Sequence, residues 1–462
     1  MPSLSRELSQ WVADLKYDDL PQEVIDRAKG LTLHGLSSAL IGLSTRPGKN
    51  ALTLMVEEEA GGPGVGTVIG DGRKLTKAGA VYVNAELIYA GGKWDTFRML
   101  THPGCNILPL GLLASELEQA SGRDYLLGIV AGYEVMERMA ADFIPTVMSR
   151  GFHASPVFGI FGAAVTAAKI AGFSADQIHG AIAQCVNLAA SNLEGGRSGG
   201  QSLREGGAVR NALLAVALAR QGMSGGETVL EGEAGFYHAY AGNNTGKLSY
   251  VFAGPKKTDL RQITSGLGER WQMLETLYRI YSTAGYNLAH VDVTAAVSRE
   301  NNIRPEDIDR IEAVVNWLET QYPSPAFPVF GEDAASRRGS TAYFSAYAAI
   351  ERGFPLLQTG PEPIDPPAVE DLMKRVTLIP SKKQILFGPK ITIFTKNGKK
   401  YSKQATGREF IWDFEEEVRR LEGVVAGIPL SQSQYDLLTD ACRNLDGLRR
   451  ADELLQLTTT TT

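Results

Sequence analysis

From residue 4 to about 260, apolar residues recur almost without break at the three- and four-residue spacing of an amphipathic helix, which commits most of this chain to a helical bundle. Helices are expected at 4–15, 21–42, 48–59, 76–91, 104–120, 123–141, 154–171, 175–194 and 205–222. Ser174-Ala175-Asp176-Gln177 has the form of a capping box, and Pro21-Gln22-Glu23 puts proline and an acid in a first turn. Gly172 and Gly222 suit the left-handed residue just past a helix end. The exception is 64–73, where a short strand and a tight hairpin turn are expected. Its glycines fit neither the dinucleotide nor the Walker spacing, so the segment is not read as a phosphate loop.

Near residue 265 the texture changes. Helices at 267–279 and 288–300 precede an alternating, β-branched stretch at 308–317 that reads as a strand. A helix at 334–353, a proline-rich connection over 355–367 and a short helix follow. Strands are then expected at 376–379, 390–395 and 400–406, the last two joined by an Asn397-Gly398 turn. From about 412 the helical spacing returns. The expected architecture is mainly α with a second α+β domain: a helical domain from 1–265 plus 408–457, a smaller α+β module from 266–407, and a disordered polar tail at 458–462.

Composition narrows the function classes. A net charge of −6 without a long Lys/Arg run argues against nucleic acid or an anionic membrane as partner. Cys105, Cys185 and Cys442 are few, far apart and without metal or redox spacing, so reduced thiols in an intracellular, cytoplasmic setting are expected and a structural metal is not. The N-terminus lacks a signal-peptide core. The most apolar window, 154–173, contains Lys169 with many Gly and Ala residues, which fits a helix buried in a bundle better than a membrane span.

The segment 94–104 concentrates chemistry: Trp94, Asp95, Thr96, Arg98, Thr101, His102, Pro103. Pro103 biases His102 away from helical backbone, so His102 is expected on a loop at a helix mouth. An imidazole there is a candidate acid or base. Asp95 either orients that imidazole or caps the following helix, and Thr96 offers a hydroxyl contact.

Four segments in order carry a resemblance over nearly the full length. They are Asn84-Ala85-Glu86-Leu87-Ile88 leading to Asp95-Thr96 and Thr101-His102-Pro103; Gly151-Phe152-His153 with Phe158-Gly159-Ile160-Phe161-Gly162-Ala163; Ala208-Val209-Arg210-Asn211-Ala212 with Glu233-Ala234-Gly235-Phe236; and Tyr343-Phe344-Ser345-Ala346-Tyr347. The chain resembles the MmgE/PrpD family, which includes 2-methylcitrate dehydratase, cis-aconitate decarboxylase and iminodisuccinate epimerase. The resemblance implies a homodimer with no metal or organic cofactor, whose α+β module acts as a lid. It further implies a polycarboxylic acid substrate undergoing loss of water, loss of carbon dioxide or inversion of a stereocentre. Dehydration of the 2-methylcitrate or alkylcitrate type is the leading expectation; cis-aconitate-type decarboxylation, polycarboxylate epimerisation and a catalytically silent binding relative are the alternatives.

The departures from that pattern fall at the same places. Gly92 stands where the family has an aspartate, Gln201 where it has a lysine, Arg204 where it has a histidine, and Arg279 where its Lys-x-Tyr-Pro segment has a lysine. Arginine forks onto carboxylates but is a poor proton carrier. His102, Asp95, His153 and Arg279 are therefore the catalytic candidates; Thr96, Gln201, Arg204, Tyr281 and Tyr322 are the substrate-binding ones. His153 either donates to a substrate carboxylate or satisfies a backbone carbonyl, and Arg279 with Tyr281 either meets substrate or links the domains. The glycine-rich 195–200 would let backbone amides approach an anion. His238 is a weaker cleft candidate, while His34, His179 and His290 sit on expected helices and read as structural.

Overall fold

The computed structural model describes residues 2–98, 100–193, 204–242, 259–281, 283, 285–320, 340–355 and 366–459. It is mainly α with a separate α+β part. Two compact units emerge: among the described residues, 2–242, 259–280 and 411–459 form a helical unit and 281–410 an α+β unit.

The helical unit is built around Ala154–Ile170, in which every side chain but Lys169 is buried. Long Gly/Ala-rich faces let Pro103–Glu118, Gly122–Ala140 and Glu205–Arg220 pack directly on it. The Lys169 stem lies along the bundle while Nζ donates to the carbonyls of Ala13 (3.0 Å) and Leu15 (2.7 Å). Among the described residues no helix is long and apolar enough to cross a membrane. Helix starts follow local chemistry, with reciprocal capping boxes at Ser121/Asp124 and Ser174/Gln177. Gly172 (φ 67°) and Gly222 (φ 80°) take the left-handed conformation past helix ends. The hairpin at 64–73 is present, with Gly66–Thr67 paired to Lys74–Leu75.

Three expectations fail here. The helix over 175–194 stops at Leu188, whose carbonyl is capped by Asn211 Nδ2 (3.0 Å), and Asn192 instead bridges Phe152. The segment 267–279 is not a helix: Gly266 and Gly268 sit at φ 64° and 79°, and Leu277–Tyr278 pairs antiparallel with Asp95–Thr96. Arg279 therefore belongs to the helical unit, which ends at Ile280 rather than near 265. Thr458 is no tail residue. It ends the helix Glu453–Thr458, is fully buried, and its Oγ1 accepts the Gly70 N–H at 3.0 Å.

The α+β unit holds a four-stranded sheet in the order Val376–Ser381, Ile308–Asn316, Lys390–Thr395, Lys400–Gln404. The first pair is parallel and the others antiparallel, the last closing at Asn397-Gly398. Alternating burial along Ile308–Asn316 marks one face as core, and Asn287–Glu300 and Thr341–Glu351 pack against the sheet and each other.

Candidate active site

His102, His153 and Arg204 occupy equivalent structural positions: each is the residue capping the start of a long helix, namely Pro103–Glu118, Ala154–Ile170 and Glu205–Arg220. These helices pack on one another, and hydrogen bonds from Asn106 and Ser155 to Glu205 join their first turns, so their positive dipole ends are brought together. None of the three uses its side chain as a cap. The side chains are left for other work.

The His102 approach is set by the preceding strand and loop. Arg98 and Leu100 both adopt left-handed backbone (φ 54° and 51°), a local cost of about 1 kcal/mol or more each, and Phe97 N–H bonds the Thr101 carbonyl at 3.0 Å. His102 Nδ1 lies 3.1 Å from the Asp95 carbonyl and 3.3 Å from Thr96 Oγ1. A carbonyl only accepts, so Nδ1 carries the proton and Nε2 presents a lone pair. Burial holds the imidazole well below its usual pKa, reinforced by the nearby charge of Arg279 and, more weakly, His153 and Arg204. His102 is neutral and base-competent on Nε2.

The Asp95 carboxylate points elsewhere. It accepts from Gly104 N–H (3.0 and 2.9 Å) and from the Tyr133 hydroxyl (2.6 Å), capping the His102 helix from outside. Burial raises its pKa to about 6 against the Tyr133 bond. Of its two expected roles, the side chain takes helix capping and only the backbone carbonyl orients His102. Among the described residues no hydrogen bond joins its carboxylate to the His102 ring.

Two aromatic rings join the cations. Tyr89 and Trp94 stack at 4.5 Å and 8°, and the His102 ring lies 4.5 Å from Trp94 and 6.4 Å from Tyr89. The Arg279 guanidinium sits over Trp94 (4.3 Å), while that of Arg204 sits over Tyr89 (5.0 Å) and bonds its hydroxyl (2.5 Å). Cross-strand pairing explains Arg279: with Tyr278 opposite Asp95, the next residue falls opposite Trp94. His153 is buried with Nδ1 unpartnered among the described residues, and burial followed by Arg204 lowers its pKa strongly.

Several buried groups complete the setting without having stood out in the sequence. Lys93, 3% exposed, is pushed down to about 8 by burial and by Arg279. Glu86 accepts the Gly206 N–H (2.7 Å) at the start of the Arg204 helix, and burial pushes its pKa up to about 8. Glu205, Asn106 and Ser155 form a hydrogen-bonded group beneath His102. One signal was available: Asn106 stands four residues after His102, one helical turn away. Because the folded pKa of Glu86 lies above its ordinary 4.5, its contribution to stability is complete below 4.5 and lost as pH rises through 8. Thermal midpoints measured from pH 6 to 9 should therefore fall in the wild type more steeply than in Glu86→Gln, which keeps an acceptor for Gly206.

Not every candidate joins this constellation. Gln201, Tyr322 and the glycines 195–200 lie outside the described residues. Tyr281 falls in the α+β unit, where its hydroxyl donates to Asp292 (2.9 Å) and its ring stacks on Phe354 at 4.2 Å. His238 is exposed. His34 and His290 are buried against Glu417 (2.5 Å) and Glu319 (3.3 Å). The three cysteines are free and buried. Among the described residues no three His, Cys, Asp or Glu side chains gather as metal ligands.

The helical unit thus sets a neutral buried imidazole beside two guanidinium groups, an arrangement whose chemistry suits an anion and the movement of a proton. The MmgE/PrpD N-terminal domain profile matches residues 6–249, and the chain belongs to the MmgE/PrpD family. It is 26% identical over 407 residues to a cis-aconitate decarboxylase-like protein, oryM, of Aspergillus oryzae, covering 82% of this chain and 80% of that one. It is 28% identical over 316 residues to cis-aconitate decarboxylase of Aspergillus terreus (66% and 62%), and 26% identical over 392 residues to the human enzyme of that name (82% and 77%).

Proposed function

We propose that this chain is a cofactor-independent lyase acting on a small di- or tricarboxylic acid. The observation that carries the reading is the grouping of His102, Arg204 and Arg279 around the Tyr89–Trp94 stack, where two fixed cations stand beside a base-competent nitrogen. Guanidinium groups bind carboxylates, and they stabilise the charge that builds on a carboxylate when the neighbouring carbon loses a proton or carbon dioxide. Desolvation by the surrounding bundle strengthens both effects.

Decarboxylation of a cis-aconitate-like acid is the first reading, supported by relatives bearing that name. The bond to the departing carboxylate breaks, its electron pair moves through the allylic system, and the distal alkene carbon takes a proton from His102, first loaded on Nε2 from solvent. Dehydration of the 2-methylcitrate or alkylcitrate type is the second, favoured by the Nε2 lone pair, which would remove the proton next to a carboxylate before hydroxide leaves. Incubation with cis-aconitate, 2-methylcitrate, citrate and iminodisuccinate in deuterated water, followed by NMR, separates the outcomes. Carbon dioxide with a deuterated product supports the first reading, alkene formation the second, and deuterium exchange without net change an epimerase. Silence on all four sinks the lyase.

The clamp role makes its own prediction. Arg204→Ala should raise KM by roughly 10- to 100-fold, the value of a charged hydrogen bond, with a smaller change in kcat. A pure loss of kcat at unaltered KM contradicts it.

A further inference from the structure

One buried carboxylate joins the three helix starts. Glu205 is fully buried, and its Oε2 accepts from Asn106 Nδ2 (2.9 Å) and Ser155 Oγ (3.1 Å). Both donors lead back to His102: Ser155 Oγ accepts the His102 N–H (3.2 Å), and Asn106 Nδ2 also approaches the His102 carbonyl (3.4 Å). The other oxygen, Oε1, faces Arg204 Nε at 3.5 Å. Glu205 is the first residue of its own helix, Asn106 lies in the first turn of the His102 helix, and Ser155 in that of the His153 helix. A single carboxylate thus touches all three helix starts.

Resting on the lyase reading above, we infer that Glu205 is a positioning residue that holds the Arg204 guanidinium in register with the His102 imidazole. A buried charge at one helix start, bonded to the starts of two others and facing its own N-cap residue, is costly unless each partner is held in place. Moving one would leave a buried donor or acceptor unpaired, so the fork of Arg204 and the ring of His102 cannot drift independently. Displacement of about 1 Å is enough to degrade a proton transfer severely.

A mere packing role and this one predict different outcomes. Glu205→Gln keeps an acceptor for Asn106 and Ser155 but turns an amide donor, or a neutral oxygen, towards Arg204. It should retain the wild-type thermal midpoint within a few degrees while kcat/KM on the acid turned over falls about tenfold, chiefly through KM as in Arg204→Ala. Glu205→Ala should lose both. Added to Arg204→Ala, Glu205→Gln should cost less than a further twofold, because the two act as one unit. Wild-type kcat/KM in Glu205→Gln, or a full additional tenfold loss in the double variant, overturns the inference. The Arg204 Nε–H resonance, assigned by its absence in Arg204→Lys, reads the same link without turnover. A shifted resonance in Glu205→Gln supports the link and an unshifted one overturns it. Absence of turnover on all four acids sinks the lyase reading instead.

Discussion

Replacing His102 by alanine is expected to lower kcat by about 10²-fold or more, the usual contribution of a positioned acid or base, with the fold intact. The fold should survive because the side chain caps nothing: the N–H to Ser155 and the caps on the following helix, from Gly104 to Asp95, belong to the backbone or to other residues. Circular dichroism with a thermal scan checks that half, and steady-state kinetics the other. An unchanged kcat in the folded variant removes His102 from the reaction. The pH profile of kcat/KM then identifies its role. With the free-enzyme pKa well below 6.5, a base at Nε2 gives activity that rises as pH climbs through that midpoint and stays level above it. A proton donor at the same atom gives the mirror image, highest below the midpoint and falling above it. Dehydration predicts the first limb, and delivery of a proton after decarboxylation the second.

What the sequence disclosed about the site follows from how local each signal is. His102 before Pro103, and His153 ahead of a glycine- and alanine-rich helix, announce helix mouths through backbone restriction and periodicity, both readable within a few residues. The segment around Trp271, Leu274, Leu277 and Tyr278 has helical spacing yet pairs with a strand some 180 residues earlier, a non-local event that periodicity does not register. That pairing is what delivers Arg279 to Trp94. Glu205 escaped notice because beside Arg204 it reads as a solvated first-turn acid; only the packing of three helices makes it a buried hub. Asp95 was visible as an acid near a histidine, but which of its groups faces the ring depends on a strand geometry two residues long.

Asp95→Ala should be the most destabilising single change at the site, and more so in acid than in base. The substitution strands the buried Tyr133 hydroxyl and the Gly104 N–H, each worth about 1–3 kcal/mol when left unsatisfied, and opens a small void, for a total of about 3–5 kcal/mol. The pH dependence follows from the carboxyl's pKa of about 6 in the folded protein against an ordinary 3.8. Its stabilising contribution is complete below 3.8, where both states are protonated, and is lost as pH rises through 6, when the folded protein must ionise a buried acid. That difference between the folded and unfolded chain is equivalent to about 3 kcal/mol in all, of which about half is already lost by pH 5, so the penalty of Asp95→Ala should be smaller at pH 8 than at pH 5 by about 1–2 kcal/mol. Denaturant melts of both proteins at the two pH values test this. A penalty that grows towards pH 8 would mean that Asp95 is stabilised as the anion, reversing the electrostatic account of the turn beneath His102.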